Sequence, residues 1–220
     1  MELSFLWESL LDLLFPPRCV SCAADEAWWC ATCRLRVEHP HETATLEGLD
    51  GLCILGYYHD PILRAAIQAL KYQGLTALRP VLREFVIERR TLLKRILPFS
   101  ETISVQPLPA SPKRKRMRGF DQAEVLAELL VASGVVEGQR IDLLHRREGS
   151  GLAQARLADH TLRAANVVNV FELRRIPLMP EKVLLVDDVV TSGATMQAAA
   201  RLLRAQGVKR VYGFALALGA

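Results

Sequence analysis

Apolar positions change period several times along the chain, and the changes mark out its elements. Leu3, Leu6, Trp7, Leu10, Leu11 and Leu14 recur at helical spacing, so a first amphipathic helix is expected, ended by Pro16-Pro17. Leu52–Tyr58 reads as a strand. Pro61–Tyr72 reads as a helix, with Pro61 in its first turn and Gly74 as its C-cap. Its apolar face is Ile62, Ala65, Ala66, Ala69 and Leu70. A second amphipathic helix, rich in Arg and Lys, spans about Leu78 to Leu97. Thr102–Val105 is a short strand, turned by Pro107-Leu108-Pro109-Ala110. A helix then starts at Asp121, an N-cap with Glu124 placed for a capping box, and runs to about Ser133. Ile141–Leu144 and Val167–Phe171 read as strands around a long polar stretch, Arg146–Asn166, of the kind that forms lids. Val183-Leu184-Leu185-Val186 is wholly apolar, as a strand buried on both faces of a parallel sheet requires. Met196–Gln206 is a helix stopped by Gly207, and Val211–Leu218 is a last buried strand. The fold class is α/β.

Composition adds bounds. The chain has 220 residues, half of them hydrophobic, and a net charge of +4. That allows one domain with appendages or two small ones, with a sizeable core. The charge is too mild to demand a polyanionic partner by itself. No apolar run is long enough to span a bilayer. The first helix carries Glu2, Glu8 and Asp12 and no early Lys or Arg, unlike a signal peptide. A cytoplasmic protein without stable membrane insertion is expected.

Four of the five cysteines stand as two CxxC knuckles, Cys19/Cys22 and Cys30/Cys33. That spacing suits tetrahedral thiolate coordination of a structural zinc ion. Two disulfides or a redox pair are the alternatives; a cytoplasmic setting argues against the first, and two close knuckles favour a metal over the second. Cys53 falls outside the pattern and reads as core, and His39 and His41 as surface residues. Trp28 and Trp29 lie beside Asp25 and Glu26, which favours a structural or partner-binding role for the ribbon over phosphate contact.

The chemistry concentrates at Val183–Thr195. Asp187 and Asp188 follow the apolar run, at the carboxyl end where ligands bind in open α/β sheets. Thr191-Ser192-Gly193-Ala194-Thr195 then offers small residues before a helix, a cradle for an oxyanion. Carboxylates beside an anion cradle suggest a ligand with both hydroxyls and a phosphate. The whole stretch resembles the 5-phosphoribosyl-1-pyrophosphate (PRPP) motif of type I phosphoribosyltransferases. Between the second strand and the Asp121 helix, every residue of Lys113–Arg118 except Met117 is basic, a place suited to pyrophosphate or nucleic acid.

The resemblance widens there. Pro107-Leu108-Pro109, the basic run and Arg118-Gly119-Phe120-Asp121-Gln122-Ala123 are similar to the core signature of the ComF/GntX family, linked to bacterial competence and gluconate utilisation. The zinc ribbon and Leu70-Lys71-Tyr72-Gln73-Gly74 match further family elements, in family order. Asp121 stands where the family usually has Asn. The resemblance implies a type I phosphoribosyltransferase-like parallel sheet flanked by helices, with a small N-terminal zinc-ribbon module. It divides the chain into residues 1–43 (helix and ribbon), 44–99 (a connecting, hood-like segment) and 100–220 (the transferase-like domain).

The resemblance also implies roles. Asp187 and Asp188 would hold the ribose hydroxyls, directly or through Mg2+, and the motif from Val186, Val189 and Val190 through Thr191, Ser192, Gly193, Ala194 and Thr195 would bind PRPP. Pro109, Lys113, Arg114 and Arg118 would face the pyrophosphate. Arg146, Arg147 or Arg156 would neutralise its departing charge as it is displaced from C1. Gln154, Leu157, Arg163 and Asn166 match parts of the family's lid series, in which no threonine stands where the family has one and the spacing from Leu157 to Arg163 is one residue longer than the family's. Nothing follows the last strand to cover the site, so Ala44–Pro98 is expected to pack over it, with Tyr57, Tyr58, Lys71 or Tyr72 nearest Asp188. The alternatives to a transferase are a non-catalytic PRPP or nucleotide sensor, and an accessory protein that binds single-stranded DNA or a competence helicase. A homo-oligomer is compatible with all three.

Overall fold

The computed structural model describes residues 16–25, 27–40, 44–72, 77–96, 102–147, 170–174 and 176–219, without the side chains of residues 72, 113, 114 and 118. The first expected helix, the Gly74 cap, His41 and the lid matches Gln154, Arg156, Leu157, Arg163 and Asn166 lie outside these residues.

Five parallel strands form the central sheet. They are β1 (Gly51–Tyr57), β2 (Ile103–Pro107), β3 (Gly138–Arg140), β6 (Lys182–Val190) and β7 (Arg210–Leu218), in the order β1-β7-β6-β2-β3. β4 (Leu144–Arg146) and β5 (Phe171–Leu173) pair antiparallel in a small second sheet. The inner strands are buried throughout their apolar runs, because helices cover both faces. On one face α2 (Pro61–Tyr72), α3 (Leu78–Glu88) and α6 (Gln122–Ala132) pack with Leu184, Val186, Phe214 and Leu216. On the other, α7 (Ala194–Ala205) packs with Val183, Leu185 and Ala215. β1, from the segment expected to connect the ribbon to the rest of the chain, is an edge strand of the same sheet, its Gly51 opposite Tyr212.

Several sequence expectations shift. The acids do not follow the β6 strand but lie inside it, because β7 continues to pair with it as far as Val190, opposite Leu218. The strand expected at Ile141–Leu144 forms at Leu144–Arg146, and β3 precedes it. The helix expected over Leu78–Leu97 breaks: α3 ends at Glu88 and α4 (Arg90–Lys94) follows. The break falls at buried Arg89, whose guanidinium donates to the carbonyls of Arg34 (3.2 Å) and Val37 (2.8 Å). The basic run, given no regular structure from the sequence, forms a short helix, α5 (Pro112–Arg118).

The ribbon is welded onto the domain. Its helix α1 (Ala31–Arg36) begins at Cys30. Trp29 is fully buried against Phe85 of α3, ring centroids 4.7 Å apart. Buried Arg34 reaches Glu84 at 2.7 Å and Glu88 at 3.0 Å. Asp60 Oδ1 caps α2 by accepting from Ile62 N–H (2.7 Å), while its Oδ2 accepts from Glu38 N–H (2.8 Å).

Candidate functional site

Two places in the structure carry chemistry. The first lies between β6 and β2. These neighbours send their connections opposite ways, β2 towards β3 and β6 towards β7. Such a switch point opens a cleft at the strands' carboxyl ends, where α/β sheets bind ligands. β2 pairs with β6 only as far as Pro107, opposite Val186. The next residue, Leu108, donates its N–H to Val186 O at 2.8 Å. Asp187 and Asp188 therefore come directly after the last β2–β6 partner, still held by β7 on the other side.

The two acids project alternately, as in any strand. Asp187 Oδ1 turns back to accept Asp188 N–H at 2.8 Å. Asp187 is partly exposed, but burial pushes its carboxyl well above the usual range. The charge of Asp188 and, more weakly, that of Asp121 push the same way. Asp188 faces Lys71, the last-turn lysine of α2: Nζ and Oδ2 form an ion pair at 2.8 Å. That oxygen is buried and receives no aligned hydrogen bond among the described residues. Two adjacent carboxyls beyond the last β2–β6 partner fit a ligand that brings hydroxyls.

Beyond Val190 come exposed Thr191 and Ser192, then Gly193, the N-cap of α7. Gly193 has φ +72°, and a Cβ there would sit 2.6 Å from Leu46. Glycine is thus required by both backbone and packing. α7 begins at Ala194, earlier than Met196, so the small residues run straight into a helix N-terminus, which favours an anion.

On the β2 wall, Asp121 caps α6 as expected, its Oδ1 accepting from Ala123 N–H at 3.0 Å. Its Oδ2 also accepts from Ala110 N–H at 2.7 Å, tying the turn after Pro109 to the helix. Burial raises this carboxyl too, against the two N–H donors. The expected capping box does not close: Glu124 pairs with Lys115 at 3.0 Å instead. Lys115, Arg116 and Met117 are exposed on α5, while the side chains of Lys113, Arg114 and Arg118 lie outside the described set. Arg146 and Arg147 stand in and just after β4. Arg146 lies over the Phe171 ring (5.9 Å), and Arg147 pairs with Glu172 at 2.6 Å.

Sequence reasoning did not find the charge of Asp121 acting on Asp187, nor Leu46 packed against Gly193. Neither has a local signal, since each joins residues far apart in the chain.

The second centre is the ribbon. The sulfurs of Cys19, Cys22, Cys30 and Cys33 all lie within 4.8 Å of one another, and those of Cys22 and Cys30 are 3.7 Å apart. Tetrahedral zinc–thiolate bonds of about 2.3 Å put sulfurs about 3.8 Å apart. Burial pushes Cys19 up, but backbone N–H groups of Cys22, Cys30 and Ser21 outweigh it and bring the thiol to about 6. Burial and the neighbouring thiols raise Cys33 to about 12. The four cysteines can hold a metal ion.

Comparison with known proteins agrees with this geometry. Residues 159–218 match the phosphoribosyl transferase domain family, spanning the acid pair, Gly193 and α7. The chain is 32% identical to competence protein ComFC of Streptococcus pneumoniae over 146 residues, 66% of this chain and 59% of that protein. It is 28% identical to competence protein F of Haemophilus influenzae over 170 residues, 76% and 72% of the two chains. With ComFC of Bacillus subtilis it shares 24% over 151 residues, 69% of this chain and 57% of that one. The chain is thus similar to competence proteins of the ComF type and carries a stretch that matches the phosphoribosyl transferase domain family. It spans somewhat under two thirds of the length of either ComFC. No described helix is long and apolar enough to cross a membrane.

Proposed function

We infer that the β6–β2 crevice binds PRPP and that the chain transfers its phosphoribosyl group with loss of pyrophosphate. The observation that carries this is the acid pair immediately after the last β2–β6 partner, followed by a glycine-capped helix N-terminus. Asp187 and Asp188 hold the 2′- and 3′-hydroxyls, with Asp188 Oδ2 paired to Lys71. The amides and hydroxyls of Thr191–Thr195 receive the 5′-phosphate. Across the crevice the Pro109–Ala110 turn, fixed by Asp121, faces the pyrophosphate together with the basic residues of α5. Mg2+, when bound with the ligand, would offset the charge of the departing pyrophosphate. The protein's share is positioning and fixed charge.

The relatives' names, competence proteins ComFC and F, support a role for this reaction, or for a PRPP-dependent signal, in bacterial competence, with DNA uptake as the context we propose. A sensor that binds PRPP without transfer is the second reading, favoured by the missing threonine in the lid series. The four ribbon thiols hold zinc in a structural role, supported by their spacing and by the burial of Trp29.

The test is calorimetric titration of PRPP with Mg2+ into the wild type and Asp188→Asn. Binding by the wild type, weakened by about 100-fold or more in the variant, is expected from losing a charge-assisted contact of about 3 kcal/mol. A wild type that does not bind overturns both readings. Release of pyrophosphate on adding an acceptor separates transferase from sensor.

A further inference from the structure

The N-terminal half of the chain enters the crevice through one side chain. Lys71 lies in the last turn of α2, outside the residues that match the transferase domain family. Its side chain is only 14% exposed and that of Asp188 only 17%, with Nζ and Oδ2 2.8 Å apart. The Tyr58 ring centroid lies 5.5 Å from the same ammonium. A lysine near a helix C-terminus needs no more explanation than the helix dipole when it stands in solvent. This one is drawn in, and burying an ammonium costs more than a dipole returns unless a counter-charge meets it. Asp188 is that counter-charge.

The placement of α2 adds to this. It begins after the carboxyl end of β1, yet its last turn also reaches the carboxyl-terminal half of β6. Its first turn is pinned by Asp60 to Glu38, at the exit of the ribbon. Lys71 is thus held over the strand ends by a helix anchored at its far end.

We propose that Lys71 is a positioning residue for the ribose-phosphate ligand, acting through Asp188; this rests on reading the crevice as a PRPP site. It holds the Asp188 carboxylate in place for the sugar hydroxyls. It also offsets the charge of an acid pair that would otherwise repel a ligand carrying several phosphates. The binding site is then assembled from both halves of the chain, and the matched domain lacks one of its parts without α2.

The experiment is calorimetric titration of PRPP with Mg2+ into the full-length wild type, Lys71→Met and Lys71→Arg, with thermal melts confirming that each is folded. Loss of a partner that orients a ligand-binding carboxylate is expected to weaken binding by about 10- to 100-fold in Lys71→Met. Lys71→Arg restores most of the affinity, because it returns the charge. Should Lys71→Met not fold, Lys71→Ala takes its place, since it too removes both the charge and the donor. A folded Met or Ala variant that binds like the wild type overturns the role of Lys71 and leaves the PRPP reading standing. So does an Arg variant as weak as Met, which would make the effect one of packing. A wild type that does not bind PRPP overturns the reading of the site, and the role of Lys71 with it.

Discussion

Asp187 shows what it costs to place two acids side by side. Its carboxyl is raised first by burial and then by Asp188, which already carries the charge that Lys71 balances. A carboxyl raised on folding contributes stability below its unfolded value, near pH 4. That contribution is lost as pH rises through the folded value. At neutral and alkaline pH the ionised form therefore works against folding. Asp187→Asn keeps the shape and the acceptor for Asp188 N–H and removes the charge. Thermal melts at pH 8 should show the variant more stable than the wild type, the gap closing towards about pH 4. Binding of PRPP should fall in the same protein. A variant no more stable at pH 8 than at pH 4, relative to wild type, would contradict the raised carboxyl. Gain of stability with loss of binding marks a residue kept for its ligand.

Among the elements, α6 and the turn before it depend on one side chain. Asp121 accepts from Ala123 N–H inside the helix and from Ala110 N–H in the turn. Asp121→Ala removes a cap worth about 0.5–2 kcal/mol. It also leaves the Ala110 N–H to be resatisfied, which costs about 1–3 kcal/mol more if that group stays buried. Chemical denaturation should show the sum of the two. The half of this visible in the sequence was the cap, since Asp121 precedes an apolar run and N-caps are local. The bond to Ala110 was not visible, because it depends on how the turn folds back. Elements were legible on the same terms. The apolar run at Val183 and the Pro61 helix announce themselves within a few residues. The continuation of β6 through two acids does not, because it depends on pairing with β7. Nor does the break at Arg89, set by carbonyls in the ribbon some fifty residues earlier. Lys71 lay between these cases: the sequence pointed to it and its neighbours as nearest the acids, and only the structure singled out its ion pair.

At the scale of the whole molecule, the ribbon and the crevice share a core. Cys19, Trp29, Cys33 and Val37 belong to the same buried cluster as Leu63 and Leu70 of α2, Phe85 of α3 and Val186 of β6. Arg34 and Arg89 cross-link ribbon to α3 with charge and backbone bonds, and Asp60 links it to α2. Loosening the ribbon must therefore disturb α2, whose last turn carries Lys71. Four clustered thiols, one raised to about 12, are poorly suited to stand without a positive partner. Zinc binding must drive off their protons, so it weakens as pH falls. The purified protein is expected to contain one zinc ion per chain, measured by elemental analysis. Stripping it with a chelator should lower the melting temperature of the whole chain in one transition, by about 10 °C or more. Each kcal/mol is worth about 2–4 °C in a chain of this size, and a structural zinc site supplies several. PRPP binding should weaken in the stripped protein even though no cysteine touches the crevice, and readdition of zinc should restore it. If the metal-free chain melts and binds like the loaded one, the ribbon is an appendage, and the path from Cys33 through α2 to Asp188 carries no coupling.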